Sequence, residues 1–299
     1  MERVHLGHLE LSRLVMGHWR LAEWKLTSQE LLSLTEKTLE LGITSFDHAD
    51  IYGNYSCERL FGEALALDKG LRDRIQIITK CGIKLVSDKF PDRKVKVYDY
   101  SFGHIVSSVD NSLKQLGTDR IDLLLLHRPA PFFDPSEVGR AFSKLKEEGK
   151  VLHFGVSNFT SMQFSMLAAH IDVPLVTNQV EISPYCLEHF VSGNIDFFLR
   201  ENIKPMAWSP LAGGQLLKPE DEKGKRILAE LKKVAEELDG CSVDEVIFAW
   251  LLSHPVGILP ILGTSKLDRV VSAANALKLK LSLEQWYRIY IASTGTQLP

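Results

Sequence analysis

The chain has 299 residues, of which 45% are hydrophobic and 24% are charged, an ordinary mixture for a globular protein. Its formal net charge is −3. The chain has no long run of like charges of the kind that indicates binding to nucleic acid or to a membrane surface. No apolar stretch approaches the roughly 20 residues that span a bilayer. The first residues lack the apolar core of a signal peptide, and the four cysteines form no CxxC pair. We therefore expect a cytoplasmic protein with no metal site and no disulfide framework.

Short apolar runs recur along the chain and predict β-strands. Residues 4–11 alternate apolar and polar side chains around Gly7-His8, which predicts a short N-terminal hairpin. The later runs are rich in Val, Ile and Leu without alternation, as expected for parallel strands that are buried on both faces. Eight of them are predicted as strands: residues 14–16, 44–46, 75–78, 121–126, 154–156, 175–180, 205–208 and 258–262.

Amphipathic stretches between these runs predict helices. Thr27 supplies an N-cap signal for the first of them. Gly42, Gly117 and Gly149 lie just beyond three predicted helix ends, where a left-handed residue is favoured. The predicted helices are residues 28–41, 57–67, 104–116, 135–148, 161–169, 185–200, 243–252 and 267–277.

Alternation of eight strands and helices predicts a closed (β/α)8 barrel, the TIM-barrel form of the α/β class. An open doubly wound sheet is the alternative, but it should carry a GxGxxG turn after its first strand, and none is present. Because no Gly-, Ser- or Pro-rich linker divides the chain, we expect a single domain over residues 1–299. The two longest connections, residues 82–100 and 211–240, should lie at the C-terminal face, where barrel enzymes carry their sites. The surplus hairpin is expected at the bottom of the barrel.

Polar residues close three consecutive predicted strands. Asp47 ends the second strand and is followed by Tyr52, Lys80 ends the third, and His127 ends the fourth. Taken singly, each has a structural explanation: a core imidazole, a solvated amine, a packed phenol or a capping carboxylate. Parallel strand ends converge, however, and burying an unpaired Lys or Asp costs several kcal/mol. The combination therefore favours a functional site.

These four residues resemble, in order and spacing, the Asp–Tyr–Lys–His tetrad of the aldo-keto reductases. The resemblance implies reduction of a small aldehyde or ketone by NADPH, with no obligatory protein partner. Tyr52 would donate a proton, Lys80 would lower the pKa of that phenol, Asp47 would hold Lys80, and His127 would orient the carbonyl. Further similar strings are Met16-Gly17, Gly155-Val156-Ser157-Asn158-Phe159, Asn178-Gln179-Val180-Glu181, Ala207-Trp208-Ser209-Pro210-Leu211 and Pro260-Ile261-Leu262-Gly263-Thr264-Ser265.

The same resemblance implies a site for NADPH or NADP⁺. Ser157, Asn158 and Gln179 would bind the nicotinamide carboxamide, and Trp208 would stack on the ring. Lys266 and the nearby Arg269 open the last barrel helix, where backbone amides and positive charge favour phosphate. The full predicted cofactor set is Gly17, Trp19, Asp47, Ser157, Asn158, Gln179, Trp208, Ser209, Pro210, Leu211, Gly213, Gly263, Thr264, Ser265, Lys266 and Arg269.

Three features of the sequence depart from the family pattern or compete with it. His48 replaces the small Thr or Ser that often follows the catalytic Asp. Ser272 and Ala273 stand where many members carry a Glu-Asn pair near adenine, so no adenine contacts are predicted. Tyr55 lies three residues from Tyr52 and is a second candidate acid, although the spacing favours Tyr52.

Two other functions are open at this point. A barrel could bind NADPH as a sensor with little turnover, as the potassium-channel β-subunits of this superfamily suggest, and measurable carbonyl reduction would separate the two. A hydrolase with paired carboxylates or a metal should show acids at several strand ends, but only Asp47 and Glu181 approach this. The particular carbonyl compound and the oligomeric state are not predicted.

Overall fold

The computed structural model describes residues 1–298, and its eight parallel strands close into the predicted barrel. Each strand overlaps one of the predicted apolar runs, and most strand residues are buried, which explains why the runs do not alternate. The strands are Val15–Gly17, Ser45–Asp47, Gln76–Cys81, Ile121–Leu126, Val151–Ser157, Leu175–Glu181, Met206–Trp208 and Leu259–Leu262.

Most predicted helices are present with ends that shift by a few residues. The stretch 185–200 is instead two helices, because Gly193 takes a left-handed φ of 80° between them. Four helices were not predicted, of which two are long: Glu222–Glu237 and Leu283–Thr294. The other helices are Leu21–Trp24, Ser28–Glu40, Tyr52–Tyr55, Cys57–Leu65, Phe102–Leu116, Pro135–Glu147, Ser161–Ala168, Glu188–Val191, Asn194–Arg200, Val243–Leu252 and Leu267–Asn275, with 3-10 turns at Leu71–Arg74, Ala212–Gly214 and Ala276–Lys278.

Local signals set several helix ends as the sequence predicts. Thr27 and Glu30 form a reciprocal capping box, in which each side chain accepts a hydrogen bond from the other's backbone amide. The glycines after three helices, Gly42, Gly117 and Gly149, have φ values of 83°, 64° and 69°. A left-handed residue is favoured there because it lets the last turn bond back on itself. None of the described helices is both long and apolar enough to cross a membrane.

Two compact units make up the chain: Glu2–Asn178, and the residues from Gln179 onward together with Met1. In the first unit, the hairpin strands Arg3–Leu6 and Leu9–Ser12 pair antiparallel. Ser12 Oγ accepts hydrogen bonds of 3.1 Å from the backbone amides of Thr44 and Ser45, where the second barrel strand begins. These contacts lie at the N-terminal ends of the strands, which confirms the predicted place of the hairpin.

The connection 82–100 contains a small antiparallel ladder of Ile83–Lys84 with Val97–Tyr98. Within the same unit, the hydroxyl of Tyr55 accepts hydrogen bonds of 2.8 Å from the Leu85 amide and from Arg93 of this connection. The connection is therefore ordered by a side chain three residues beyond Tyr52.

In the second unit, the connection 211–240 is mostly the helix Glu222–Glu237. Ile227, Leu231 and Val234 are buried along one face of this helix at helical spacing. Arg288 of the helix Leu283–Thr294 donates to Glu230 at 2.6 Å and to Glu237 at 2.7 Å. The two long unpredicted helices thus pack against each other.

Candidate active site

Lys80 is the centre of the predicted catalytic residues. Its Nζ lies 2.7 Å from both carboxylate oxygens of Asp47, 2.7 Å from the carbonyl oxygen of His48 and 3.2 Å from Tyr52 Oη. Only 1% of Lys80 is exposed. An ammonium can be buried in this way because surrounding acceptors take over the hydrogen bonds that water would have made.

Strand register explains why these residues meet. Asp47 pairs with Ile78, and Lys80 pairs with Leu125 of the next strand. The backbone amide of His127 then donates to the carbonyl of Cys81 at 3.0 Å, so His127 continues the same edge. The second, third and fourth barrel strands therefore end side by side with one polar residue each.

Tyr52 reaches this edge through a tight turn after Asp47. Its backbone amide donates to the Ala49 carbonyl at 3.1 Å, and the next residue, Gly53, has a φ of 58°. A Cβ on Gly53 would lie 2.6 Å from Cys57 Sγ and 2.8 Å from the Ala22 Cβ. Glycine is thus required both for the backbone conformation and for the close approach of the neighbours.

The charge of Lys80 is stabilised inside the protein. Burial disfavours the ammonium, but Asp47, followed by Tyr52, more than offsets this, and the pKa of Lys80 is raised. Lys80 is consequently a cation at neutral pH, held against the oxygen of Tyr52.

For Tyr52, Lys80 lowers the pKa as expected, but the net pKa is raised. Burial raises the pKa of the phenol, and this effect is larger than the opposing one of the Lys80 ammonium. Lys80 acts in the expected sense by favouring phenolate, but the low polarity around the ring outweighs it. Tyr52 therefore keeps its proton at neutral pH, as a proton donor must.

His127 completes the group as a neutral imidazole. Its ring meets the Tyr52 ring edge to face, with centroids 5.8 Å apart. Burial, reinforced by Lys80 and then Arg128, holds the pKa of His127 well below its usual range. A neutral imidazole can donate one N–H to a carbonyl oxygen without carrying charge.

His48, the departure from the family pattern, forms a buried pair with His18. His48 Nε2 and His18 Nδ1 are 3.1 Å apart, and both rings pack on Phe61. Burial lowers the pKa of His18 to about 3 and that of His48 well below its usual value, so both are neutral. The larger residue is accommodated by this pair, while its backbone carbonyl still binds Lys80.

Two buried carboxyl groups near Lys80, those of Asp50 and Glu58, were not predicted from the sequence. Burial raises the pKa of Asp50 well above its ordinary value, and nearby Glu58 adds to the effect. Burial also raises the pKa of Glu58 to about 7, against the opposing hydrogen bond from Thr79 at 2.6 Å. A sequence signal exists for Glu58, because it stands on the buried face of the helix Cys57–Leu65.

Several predicted cofactor residues belong to the first unit. Gly17 pairs with Asp47 in the barrel, whereas Trp19 is 60% exposed. Ser157 is buried at the end of its strand, and Asn158 follows it with a left-handed φ of 62°. Asn158 Nδ2 donates to Ser157 Oγ at 2.8 Å and to the His127 carbonyl at 3.4 Å. Asn158 thus connects the predicted nicotinamide residues to the backbone of the catalytic group.

Other predicted cofactor residues belong to the second unit. Gln179 is buried, and Trp208 ends its strand half-buried. Ser209 then takes a φ of 51°, and the segment turns through Pro210 and Leu211 to Gly213, whose φ is 67°. Left-handed φ values at residues other than glycine are uncommon and often occur at binding sites.

The start of the helix Leu267–Asn275 has the chemistry of an anion site. Its N-cap residue, Lys266, provides no side-chain hydrogen bond to the first turn, unlike Thr27 and Ser242 at the starts of their helices. Lys266 and Arg269 are exposed, and neither forms a salt bridge within residues 1–298. A helix start without a side-chain cap and two cations suit a phosphate group. Gly263 is exposed, and Thr264 and Ser265 are half-buried.

Comparison with known proteins shows the family to which the chain belongs. The model of the aldo/keto reductase family matches residues 13–293. Oxidoreductase YdhF of Escherichia coli is 45% identical over 97% of this chain and 96% of its own, and a 6-dehydroglucose reductase of Agrobacterium fabrum is 41% identical over the whole of both. The chain belongs to the aldo-keto reductase family, an oxidoreductase family.

A solved structure confirms the fold. The thermostable aldo-keto reductase Tm1743, crystallised with the inhibitor epalrestat, superposes with a TM-score of 0.82. The match covers 98% of this chain and 100% of that one, at 23% sequence identity. The barrel architecture is therefore retained at low sequence similarity.

Proposed function

We propose that this chain reduces the carbonyl group of a small aldehyde or ketone with NADPH. One observation carries the proposal: the buried Lys80 ammonium lies between the Asp47 carboxylate and the hydroxyl of a protonated Tyr52. This arrangement suits delivery of a proton to an oxygen that is becoming negative. Burying the Lys80 ammonium beside Tyr52 Oη is costly in free energy, which favours a catalytic role over a purely structural one.

NADPH would supply the hydride that reaches the carbonyl carbon, and the chain offers residues suited to hold it. Ser157, Asn158 and Gln179 present polar groups for the carboxamide, and Trp208 a ring for stacking. Lys266, Arg269 and the uncapped amides of the helix Leu267–Asn275 would hold a phosphate. The remaining predicted cofactor residues are part of the same proposal: Gly17, Trp19, Asp47, Ser209, Pro210, Leu211, Gly213, Gly263, Thr264 and Ser265.

The proton would come from Tyr52 Oη. His127 would donate an N–H to the substrate oxygen and hold it near that hydroxyl. As the proton leaves, Tyr52 becomes a phenolate, and the Lys80 ammonium at 3.2 Å stabilises the new negative charge. Asp47 keeps Lys80 charged and in place throughout. Positioned acid catalysis of this type contributes about 10² to 10⁴ in rate.

The test is a screen of the purified chain for carbonyl-dependent loss of NADPH absorbance. A panel of aldehydes and ketones should include 6-dehydroglucose, which the name of the Agrobacterium relative suggests. NADH assayed in parallel measures the nucleotide preference. Turnover of at least one carbonyl is expected. Tight NADPH binding without turnover of any panel member would contradict the proposal and favour a sensor.

A further inference from the structure

Tyr100 ends the connection 82–100 and bonds to the backbone next to His127. Its hydroxyl donates to the Arg128 carbonyl at 2.6 Å and accepts from the Arg128 amide at 3.0 Å. The residue is 4% exposed, and burial raises the pKa of its phenol, so the hydroxyl keeps the proton that it donates. One side chain thus satisfies both backbone groups of the residue that follows His127.

The His127 ring lacks the hydrogen bond that usually sets an imidazole's orientation. A histidine is commonly oriented by a partner on its second ring nitrogen. In the described part of the chain, Nδ1 of His127 is buried and has no hydrogen-bond partner. Its backbone, by contrast, is bonded on both sides, through its amide to Cys81 and through its carbonyl to Asn158. The position of the ring therefore depends on how firmly this backbone is held.

We propose that Tyr100 is a positioning residue for His127, acting through the two hydrogen bonds that fix the adjoining Arg128 backbone. This inference rests on the proposed function, because it assigns to His127 the orientation of the substrate carbonyl. A free peptide at this point would let the imidazole turn away from Tyr52, since its Nδ1 has nothing else to bind.

The ring of Tyr100 is itself fixed by its neighbours. A Cβ on Gly82 would lie 1.9 Å from Tyr100 Cε1, so the ring packs directly on the glycine backbone. The Phe133 ring also meets the Tyr100 ring edge to face, with 5.5 Å between the centroids. Because these contacts involve the ring alone, Tyr100→Phe should keep the packing and remove only the hydroxyl.

A double-mutant cycle tests the inference. Tyr100→Phe should lower kcat/KM for the carbonyl about ten- to hundredfold, the scale of loss when a catalytic group is misplaced. The dissociation constant for NADPH and the melting temperature should stay close to those of the unsubstituted chain. In a His127→Ala background, Tyr100→Phe should cost nothing more, because the residue it positions is gone. Tyr98→Phe, two residues away, is the matched control and should leave kcat/KM unchanged.

Hydrogen exchange gives a readout that needs no turnover. The Arg128 amide should exchange faster in Tyr100→Phe than in the unsubstituted chain and the Tyr98→Phe control. Unchanged exchange, or equal losses of kcat/KM with and without His127, would overturn the inference. An unsubstituted chain that reduces no carbonyl would instead overturn the proposed function, and the Arg128 exchange rate would still decide whether Tyr100 holds this peptide.

Discussion

In the catalytic cluster, made of Asp47, Tyr52, Lys80 and His127, the charged side chains are buried, whereas in the phosphate segment, residues 263–269, they are exposed. In the cluster, Lys80 is surrounded by acceptors from its own chain. In the segment, Lys266 and Arg269 extend into solvent without salt-bridge partners among the described residues. The free-energy cost of desolvating Lys80 and Asp47 therefore arises during folding, and the cluster is already arranged before any ligand binds. In the proposed function, a phosphate of NADPH would pair with the charges of the segment.

The largest expected contrast comes from one substitution made in each region. Lys80→Met leaves the buried Asp47 without its counter-ion and should lower the free energy of unfolding by about 3–5 kcal/mol. Lys266→Met removes an exposed charge and should change it by no more than about 0.5 kcal/mol. Denaturant unfolding of both variants measures the difference. Similar losses in the two variants would show that the cluster is not held together by its ion pair.

Tyr52→Phe probes the chemistry of the cluster without disturbing its packing. It removes the proton donor and should lower kcat and kcat/KM together by at least about a hundredfold, some 3 kcal/mol, with NADPH binding unchanged. Tyr55→Phe is the control, because the Tyr55 hydroxyl is already bonded to Leu85 and Arg93 and should cost far less in kcat. A Tyr52→Phe variant that keeps its rate while Tyr55→Phe loses it would reverse the assignment.

The buried carboxyl beside the cluster should make stability depend on pH. The pKa of Glu58 is about 7 in the folded chain against an ordinary 4.5, so the folded state binds the extra proton between these values. Stability should therefore fall as pH rises from 4.5 to 7, by up to roughly 3 kcal/mol. Glu58→Gln should flatten this decline in melting temperature, although the raised pKa of Asp50 leaves part of it. If the melting temperature of Glu58→Gln falls with pH as steeply as that of the unsubstituted chain, Glu58 is not the source of the decline. Glu220→Gln, at an exposed position, is the control.

The sequence predicts the barrel and the meeting of the cluster because both depend on order along the chain. Parallel strands that end in Asp47, Lys80 and His127 must bring these residues to one edge once the strands are neighbours. The helix Glu222–Glu237 was missed because its many lysines and glutamates conceal a narrow apolar face. The break at Gly193 was missed because a single glycine is compatible with a continuous helical pattern.

What the sequence does not predict depends on burial and on distant partners. The raised pKa of Tyr52 follows from how deeply its ring is enclosed, a property of the folded surroundings and not of neighbouring residues in the chain. The bond between Tyr100 and Arg128 joins positions 28 residues apart. No motif marks such a contact, because any buried tyrosine near a free backbone group could make it.

The smallest effect is expected in the phosphate segment, as a difference between the binding of NADPH and that of NADH. A 2′-phosphate is an anion that pairs well with the guanidinium of Arg269, and losing such a contact costs about 1.5–3 kcal/mol. Arg269→Ala should therefore weaken NADPH binding roughly ten- to hundredfold while barely changing that of NADH. Added salt should also weaken NADPH binding in the unsubstituted chain, since exposed charges are screened, whereas it should have little effect on the buried pair of Asp47 and Lys80. Titration calorimetry with both nucleotides measures these constants, with exposed Lys280→Ala as the control. Equal losses for NADPH and NADH would mean that Arg269 supports the helix and does not read the phosphate.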